Sequence, residues 1–445
     1  MKKSLVLILS LALAIVLCAC AQEKIPGTTI PDTQPETVAQ TVPATQPPTE
    51  VATQPPTEAP AETVPPTEPE PEPVAEIIQD GVKVMVDGVD YAVALSDDNH
   101  YSKKYIYANQ KTVVESQRPF SSLYIEWDKA PEIYSVVWEK GSIECGQYGF
   151  LHEYVRLPEE VTRVELVFGE GNMHLLCDIE VLTAGTAPEG TQDWLPPCEE
   201  ADILVFPTHS DDDVLFFGPL LSYYAVERQL AVQTAFMVDH SFYPERGHER
   251  LNGLWEMGIR HYPDLYTAQD SPIFNFNEAM AFYASSGIEK WQVEQIRKFK
   301  PLVVVGHDLE GEYGNGGHKV NAYYLTCAIA AAADPEQYPD SAEKYGTWDT
   351  PKLYLHLYPE NEILIDVETP MHNDPEGRTP FEAATEGYTW HVSQHAWPYR
   401  VQFGGDRDFD CRPFGLYRTL VGSDTVADIM DNIDKQKWRD MDTQS

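Results

Sequence analysis

Apolar and polar positions divide the chain into four regions of different rhythm. Residues 5–17 are almost wholly apolar, and residues 21–74 are Thr, Pro, Glu and Gln with almost no large apolar side chain. From 75 to 185, short β-branched and aromatic runs recur between turn signals. They are Val82-Lys83-Val84-Met85-Val86, Ser122-Leu123-Tyr124-Ile125-Glu126-Trp127, Tyr134-Ser135-Val136-Val137-Trp138, residues 163–168 and residues 173–181. Strands at this spacing predict a β-sandwich, and Asp87-Gly88 after the first run predicts a hairpin. From 196 to 445 strand-like and helix-like stretches alternate. Strands are predicted at 202–206, 230–237, 302–305, 352–357 and 363–366. Helices are predicted at 214–225, 245–257, 288–299, 318–332, 381–394 and 425–441, with Gly258 stopping the second. This alternation predicts an α/β domain: a parallel sheet with helices on both faces.

The polar region 21–74 repeats Thr-Gln-Pro-Pro-Thr-Glu at 45–50 and 53–58. It lacks the apolar surface to fold and is expected to be a disordered, semi-stiff tether. In polyproline II form, at ~3.1 Å per residue, it reaches roughly 150 Å. Before it, Lys2-Lys3, the apolar run and Cys18-Ala19-Cys20 read as a secretory signal over residues 1–20. Leu17-Cys18-Ala19-Cys20 resembles a bacterial lipobox, which implies lipidation of Cys20. Cys18 is the poorer candidate, because Leu17 stands where a small residue is wanted. The expected location is the bacterial cell surface, anchored by lipid to the outer face of the cytoplasmic membrane.

A net charge of −40 with only 31 Lys plus Arg argues against a nucleic-acid partner. Beyond the signal, Cys145, Cys177, Cys198, Cys327 and Cys411 are widely spaced, odd in number and without a Cys-x-x-Cys pair. They indicate no disulfide framework.

Two loops carry the chemistry. Asp202-Ile203-Leu204-Val205-Phe206-Pro207 is followed by His209 and by Asp211, Asp212 and Asp213. That places an imidazole and three carboxylates where a strand ends and a helix begins, the ligand-binding edge of open α/β sheets. One Asp would serve as a helix cap, but a His with three Asp needs a cation or substrate to balance it. The second loop runs from Gly306-His307-Asp308 through Gly311-Glu312-Tyr313-Gly314-Asn315-Gly316-Gly317 to His318. His209, Asp212 and His318 would give two imidazoles and a carboxylate with one position left for water, which suits a catalytic Zn²⁺. Gly311, Gly314, Gly316 and Gly317 let the backbone pass close to a metal or ligand. His240, His261, His356 and His372 have no partner spacing and read as structural or exposed, and His395 stays undecided. Trp390, Trp397, Tyr399 and Phe403 suit core packing better than stacking on a sugar.

These loops resemble those of the PIG-L/LmbE-like N-acetylglucosaminyl deacetylases. Residues 207–213 are similar to that family's His-Pro-Asp-Asp-Glu signature, and Gly311-Glu312-Tyr313-Gly314 with His318 to its Gly-Glu-Tyr-Gly-His-x-x-His segment. Arg246 and Glu249, with Met257-Gly258-Ile259, resemble its Arg-x-x-Glu helix, and His391-Val392-Ser393-Gln394 its late His-x-Ser-Gln. The resemblance implies a Rossmann-like fold, zinc held by His209, Asp212 and His318, and removal of an N-acetyl group from an amino sugar. It implies that Asp211 is the general base for a metal-activated water, that Tyr313 lies near the oxyanion and that Arg246 contacts substrate, unless it merely pairs with Glu249. Ser210 and Asp213 depart mildly from the pattern, and Pro219 replaces the second of two glycines after the helix start. Asn315 stands where the family has a transition-state His, which implies a slower or retuned enzyme. Residues 151–182 also resemble galactose-binding-like jelly rolls, which implies either a glycan-binding module or a spacer.

Three readings follow. The first is an extracellular, lipid-anchored zinc deacetylase acting on an N-acetylglucosamine-type sugar in a glycan or glycoconjugate. The second is a glycan-binding surface lipoprotein with weak or lost turnover. The third is a zinc hydrolase of another amide or ester.

Overall fold

Antiparallel pairing organises the first half of the computed structural model, which describes residues 72–442 except 98, 171, 172 and 241. Cys20 and the tether through residue 71 lie outside the described residues. Strands β1 (Val82–Val86) and β2 (Val89–Asp90) form the hairpin expected at Asp87-Gly88. Both loop residues have positive φ, 49° and 84°, as a tight two-residue hairpin requires. There follow β3 (Lys104–Tyr107), β4 (Thr112–Trp127), β5 (Tyr134–Trp138), β6 (Gly141–Cys145), β7 (His152–Phe168) and β8 (Met173–Leu182). All eight join one antiparallel sheet around β4, which meets β1 with its first half, β8 with its second, and β7 along both. The predicted runs 122–127 and 163–168 are the later parts of β4 and β7; the earlier parts, which hold Pro119 and Pro158, are additional. Both prolines sit where the β4/β7 register shifts, the irregular position that a sheet allows them. Alternate residues Leu123, Ile125, Trp127, Val155, Val164 and Leu166 meet in a single core.

The second half holds β9 (Ile203–Val205), β10 (Val232–Asp239), β11 (Asp264–Gln269), β12 (Val303–Gly306), β13 (Lys352–His356), β14 (Glu362–Leu364) and β15 (Pro413–Thr419). Their order is β11-β10-β9-β12-β13-β15-β14. The first five pair in parallel, whereas β15 runs antiparallel to both β13 and β14, so the sheet is mixed rather than wholly parallel. Its helices are α1 (Asp212–Leu215), α2 (Gly218–Ser222), α3 (Glu245–Glu256), α4 (Phe276–Tyr283), α5 (Ile288–Phe299), α6 (Gly316–Ala331), α7 (Pro339–Tyr345), α8 (Pro380–Thr389) and α9 (Lys435–Asp442). Ile203, Val205, Val303 and Val305 pack with α1, α2, α3 and α8, while Leu204, Phe206, Val304 and Leu353 pack with α4, α5 and α6. Burial of both faces explains why the central strands read as unbroken apolar runs.

From β9 the chain moves outward to β10 and β11, then returns to the other side of β9 as β12. Val205 and Val305 are register partners, so the loops after β9 and β12 emerge side by side. Such a reversal of strand order opens a crevice at the carboxyl edge.

Several elements differ from the sequence pattern. The helix predicted at 214–225 breaks after Leu215 because Pro219, which lacks an N–H, begins a new helix at its first turn. The helix predicted at 425–441 starts only at Lys435. Strands β11 and β15 and helices α4 and α7 are additional to the predicted set. Cys145, Cys177, Cys198, Cys327 and Cys411 are free thiols. Among the described residues no helix is long and apolar enough to cross a membrane.

Gly253 lets α3 approach α8. A Cβ there would lie 2.8 Å from the His391 imidazole and 3.2 Å from the Gly387 carbonyl oxygen. Gly253→Ala is therefore expected to destabilise the protein by about 1–3 kcal/mol through overpacking. A lower urea midpoint at unchanged slope would show it, and an unchanged midpoint would show that the contact relaxes freely.

Candidate metal centre at the sheet's carboxyl edge

Pro207 ends the β9 run, and the loop turns into α1 at Asp211. Asp211 occupies the N-cap position, yet its side chain makes no capping bond. The carboxylates of this loop thus serve something other than helix capping. Asp212 Oδ2 accepts the backbone N–H of Thr208 at 3.1 Å and of His209 at 2.6 Å, which fixes the carboxylate back over the loop. His318 arrives from the first turn of α6, which starts in the neighbouring loop after β12.

The structure brings His209, Asp212 and His318 together. His209 Nδ1 lies 3.1 Å from His318 Nε2 and 3.2 Å from Asp212 Oδ2, and His318 Nε2 lies 3.2 Å from Asp212 Oδ1. Tetrahedral zinc at ~2.0–2.1 Å from its ligands spaces them about 3.3 Å apart, so the three donor atoms already stand close to coordinating separation. All three residues are buried. Burial disfavours charge on His209, yet Asp212 and Asp270 push its pKa up to about 9. The field in this pocket favours a cation.

Each imidazole is oriented by a second carboxylate. His318 Nδ1 donates to Glu312 Oε2 at 2.7 Å, which turns its Nε2 toward the triad. His209 Nε2 lies 3.4 Å from Asp270 Oδ1, leaving Nδ1 to face the triad. Outer carboxylates of this kind fix the tautomer and raise the basicity of a metal-binding histidine. Glu312 is wholly buried and also accepts from His307 Nδ1 at 2.8 Å, His356 Nδ1 at 2.8 Å and the Asp308 N–H at 3.1 Å. Burial alone would raise its pKa, but His307 and the other imidazoles hold it well below the usual range.

Asp211 lies beside the triad and is buried. Its Oδ1 accepts from Arg246 Nη2 at 2.8 Å. Burial pushes the Asp211 carboxyl up, with Arg246 pulling the other way. Arg246 does not pair with Glu249, which instead accepts the Ser393 N–H at 2.7 Å and its hydroxyl at 2.6 Å. The Arg-x-x-Glu helix and the His-x-Ser-Gln segment are therefore two halves of one contact. Tyr313 has φ 46° and stacks on both Tyr399 and Phe409, which also touch each other, with its ring edge-on to His318. Asn315 caps α6: its Oδ1 accepts from the N–H groups of Gly317 at 2.8 Å and His318 at 3.3 Å, while its Nδ2 donates to the Tyr313 hydroxyl at 3.3 Å.

Four residues of the site carried no role in the sequence pattern. His240, read as structural or exposed, is buried beside the site and accepts the Ser210 N–H at 3.2 Å. Asp270 lies 3.6 Å from both His240 Nδ1 and Arg246 Nη1. His307 Nε2 accepts the Thr208 N–H at 3.0 Å, and His356 bonds Glu312 as described. His240, Asp270 and His307 each directly follow a parallel strand, and His356 ends one. Placement at a strand's carboxyl end was thus the available signal, and for Asp270 it was hidden because β11 itself was not predicted. His261, bonded to the Pro196 carbonyl, and the exposed His372 stand apart from the triad, as does His395, bonded to the Tyr388 carbonyl. Tyr399 and Phe403 pack on the core, whereas Trp390 and Trp397 are exposed.

No family model matches the chain. It is similar to 1D-myo-inositol 2-acetamido-2-deoxy-alpha-D-glucopyranoside deacetylase 2 of Saccharopolyspora erythraea, 30% identical over 149 residues that cover 32% of this chain and 52% of that protein. It is also similar to 1D-myo-inositol 2-acetamido-2-deoxy-alpha-D-glucopyranoside deacetylase of Streptomyces scabiei, 28% identical over 207 residues covering 44% of this chain and 57% of that one. The chain spans a little over half the length of these curated relatives. Among solved structures it is similar to N,N'-diacetylchitobiose deacetylase from Pyrococcus horikoshii, with a TM-score of 0.32, 14% identity, and coverage of 44% of this chain and 72% of that chain. The homologues are deacetylases whose named substrate carries an acetamido sugar.

Glu312→Gln sets an amide N–H against imidazole N–H donors, so it should lower stability and also weaken zinc binding at the candidate triad about 10–100-fold, because His318 loses the carboxylate that orients it. Competition against a chromophoric chelator measures this. Unchanged affinity would mean that Glu312 serves packing alone.

Proposed function

We propose that the protein is a zinc-dependent deacetylase that removes the acetyl group from an N-acetylglucosamine-type amino sugar in an extracellular glycan or glycoconjugate. The observation that carries this reading is the convergence of His209, Asp212 and His318, each imidazole backed by a carboxylate, at the crevice between β9 and β12. The curated relatives' named activity supports the reaction class. The strand order and two covered faces support a Rossmann-like domain, and the antiparallel sheet supports a galactose-binding-like sandwich in front of it.

Zinc held by the triad would polarise the amide carbonyl and acidify a water. Asp211, adjacent to a ligand and buried, is positioned to take the water's proton and return it to the leaving amine. Arg246 holds Asp211 in place and, through Asp270 and His240, borders the space a sugar would enter. Tyr313 brings its hydroxyl to the rim beside His318 for the developing oxyanion. Asn315 keeps the α6 terminus and the Tyr313 hydroxyl in register. Both ends of its amide are thereby engaged, which favours the second reading, a binding protein of weak or lost turnover.

Acetate release from a panel of N-acetylated sugars, peptides and esters separates these readings. The proposal expects release from acetamido sugars, lost on chelation and restored by zinc. Release from peptides or esters alone, or from nothing, contradicts it. Asp211→Asn should retain zinc, because Asp212 is the ligand, and lower turnover about 10²–10⁴-fold. Loss of zinc in that variant would instead make Asp211 a ligand.

We also propose that Cys20 anchors the chain to the outer face of the cytoplasmic membrane, with residues 21–74 as the tether. Metabolic labelling with a fatty-acid probe should tag the wild type and not Cys20→Ser. Absence of label from the wild type, or label that persists in Cys20→Ser, would contradict this anchor.

A further inference from the structure

A second cluster of metal-binding side chains lies outside the crevice, where the antiparallel sheet meets α3. Glu126 near the end of β4 and His152 at the start of β7 are cross-strand partners, so their side chains stand together on one face of the sheet. His100 comes from the loop before β3, and its Nε2 lies 2.6 Å from Glu126 Oε2. His248 comes from α3 of the α/β domain, and its Nδ1 lies 2.7 Å from His152 Nε2. The His100 and His248 rings stack with centroids 3.7 Å apart at 11°. One donor atom from each of the four residues lies within 4.8 Å of the others.

Neighbouring groups decide which nitrogen of His152 faces this centre. The Trp194 indole N–H, a donor only, bonds Gln192 Oε1 at 2.9 Å, and Gln192 Nε2 donates to Asn252. Gln192 Oε1 is therefore an acceptor, so His152 Nδ1, 2.8 Å away, carries the proton. His152 Nε2 is left with its lone pair directed at His248. His152 and His248 are both buried, while His100 and Glu126 are partly open to solvent, so an ion can reach the centre from one side. Burial works against the charge on Glu126, yet the His152 and His100 imidazoles hold its carboxyl below the usual range.

We propose that His100, Glu126, His152 and His248 form a second divalent metal site, closed by four protein ligands, that clamps the antiparallel sheet to α3. Three imidazoles and one carboxylate select zinc or a similar borderline ion over calcium, which requires six to eight oxygens. Donors around tetrahedral zinc stand about 3.3 Å apart, so the His100–Glu126 pair at 2.6 Å and the His152–His248 pair at 2.7 Å must open slightly, and the stacked His100 and His248 rings must turn apart to aim at one ion. Four protein ligands leave no open position, which marks a structural rather than a catalytic ion. The clamped helix is the one that carries Arg246, bonded to Asp211, and Glu249, bonded to Ser393. The site would thus position the substrate-facing helix without touching the reaction. It stands independently of the deacetylase reading.

The test is zinc content of the full chain after equilibrium dialysis against zinc alone, followed by metal analysis. The wild type should hold two zinc ions. A His209→Ala/His318→Ala variant should hold one, and adding His100→Ala, at the half-exposed corner of the cluster, should remove it. Cobalt titration of the wild type gives the same count without any variant: two equivalents with four-coordinate spectra support the site. A double variant that binds none, or one ion that survives both His100→Ala and His248→Ala, would overturn the proposal; saturation of the wild type at one equivalent supports it if the double variant keeps that ion and overturns it if the double variant loses it.

Discussion

Glu312 is the point on which the crevice depends. It is a fully buried carboxylate that accepts from three imidazoles and one backbone N–H. Placing such a charge in the interior costs several kcal/mol unless its lone pairs are satisfied. Here four bonds satisfy them, and each charge-assisted bond is worth roughly 1.5–3 kcal/mol. The arrangement also dictates geometry. Because Glu312 only accepts, His307 and His318 must present N–H at Nδ1, which frees each Nε2 for the loop after β9. His318 then faces the triad, and His307 receives the Thr208 N–H. His356 has an acceptor at each ring nitrogen, Glu312 on one side and the Asp410 carbonyl on the other, which ties the end of β13 into the same network. One carboxylate thereby couples β12, β13 and α6 to the loop that carries His209 and Asp212.

The same logic runs along the sheet edge. Parallel strands end on one side, and here each of the five contributes an ionisable group at its end: His209 after β9, His240 after β10, Asp270 after β11, His307 after β12 and His356 on β13. The acids and imidazoles alternate in partnership, so each buried charge meets an opposite or a donor. Asp213 is the exception. It is buried with both carboxylate oxygens lacking a hydrogen-bond partner, and burial pushes its pKa well above the usual range. The Asp211 carboxylate adds to that upward push, while the Arg250 guanidinium, itself buried and bonded to Ser210, pulls the other way.

Much of this was legible in the sequence because it depended on local pattern. The apolar runs around Ile203 and Val303 announced strands, and the His and Asp directly behind them announced the triad. What escaped the pattern depended on partners distant in sequence. Asp270 follows a half-exposed strand whose alternation is weak, so neither strand nor carboxylate stood out. Glu249 looked like a partner for Arg246 at helical spacing, but the late segment around Ser393 satisfies it instead. Asn315 was legible as a departure from a family pattern, yet its duties as helix cap and Tyr313 partner follow only from the turn between Tyr313 and Gly317. The antiparallel strand β15 hid for a similar reason: its place between β13 and β14 is set by the tertiary fold rather than by its own sequence. The predicted runs 122–127 and 163–168 cover only the later parts of β4 and β7, whose earlier parts hold Pro119 and Pro158 and stay in the sheet by shifting register.

The proposed metal centre places one ion among His209, Asp212 and His318, between the loops after β9 and β12. Anomalous diffraction at the zinc edge from crystals of the zinc-loaded protein tests it most directly. The expected peak lies about 2.0–2.2 Å from His209 Nδ1, His318 Nε2 and an Asp212 oxygen. A zinc-loaded crystal with no anomalous density at that point, or with His209 and His318 turned onto other partners, would contradict it.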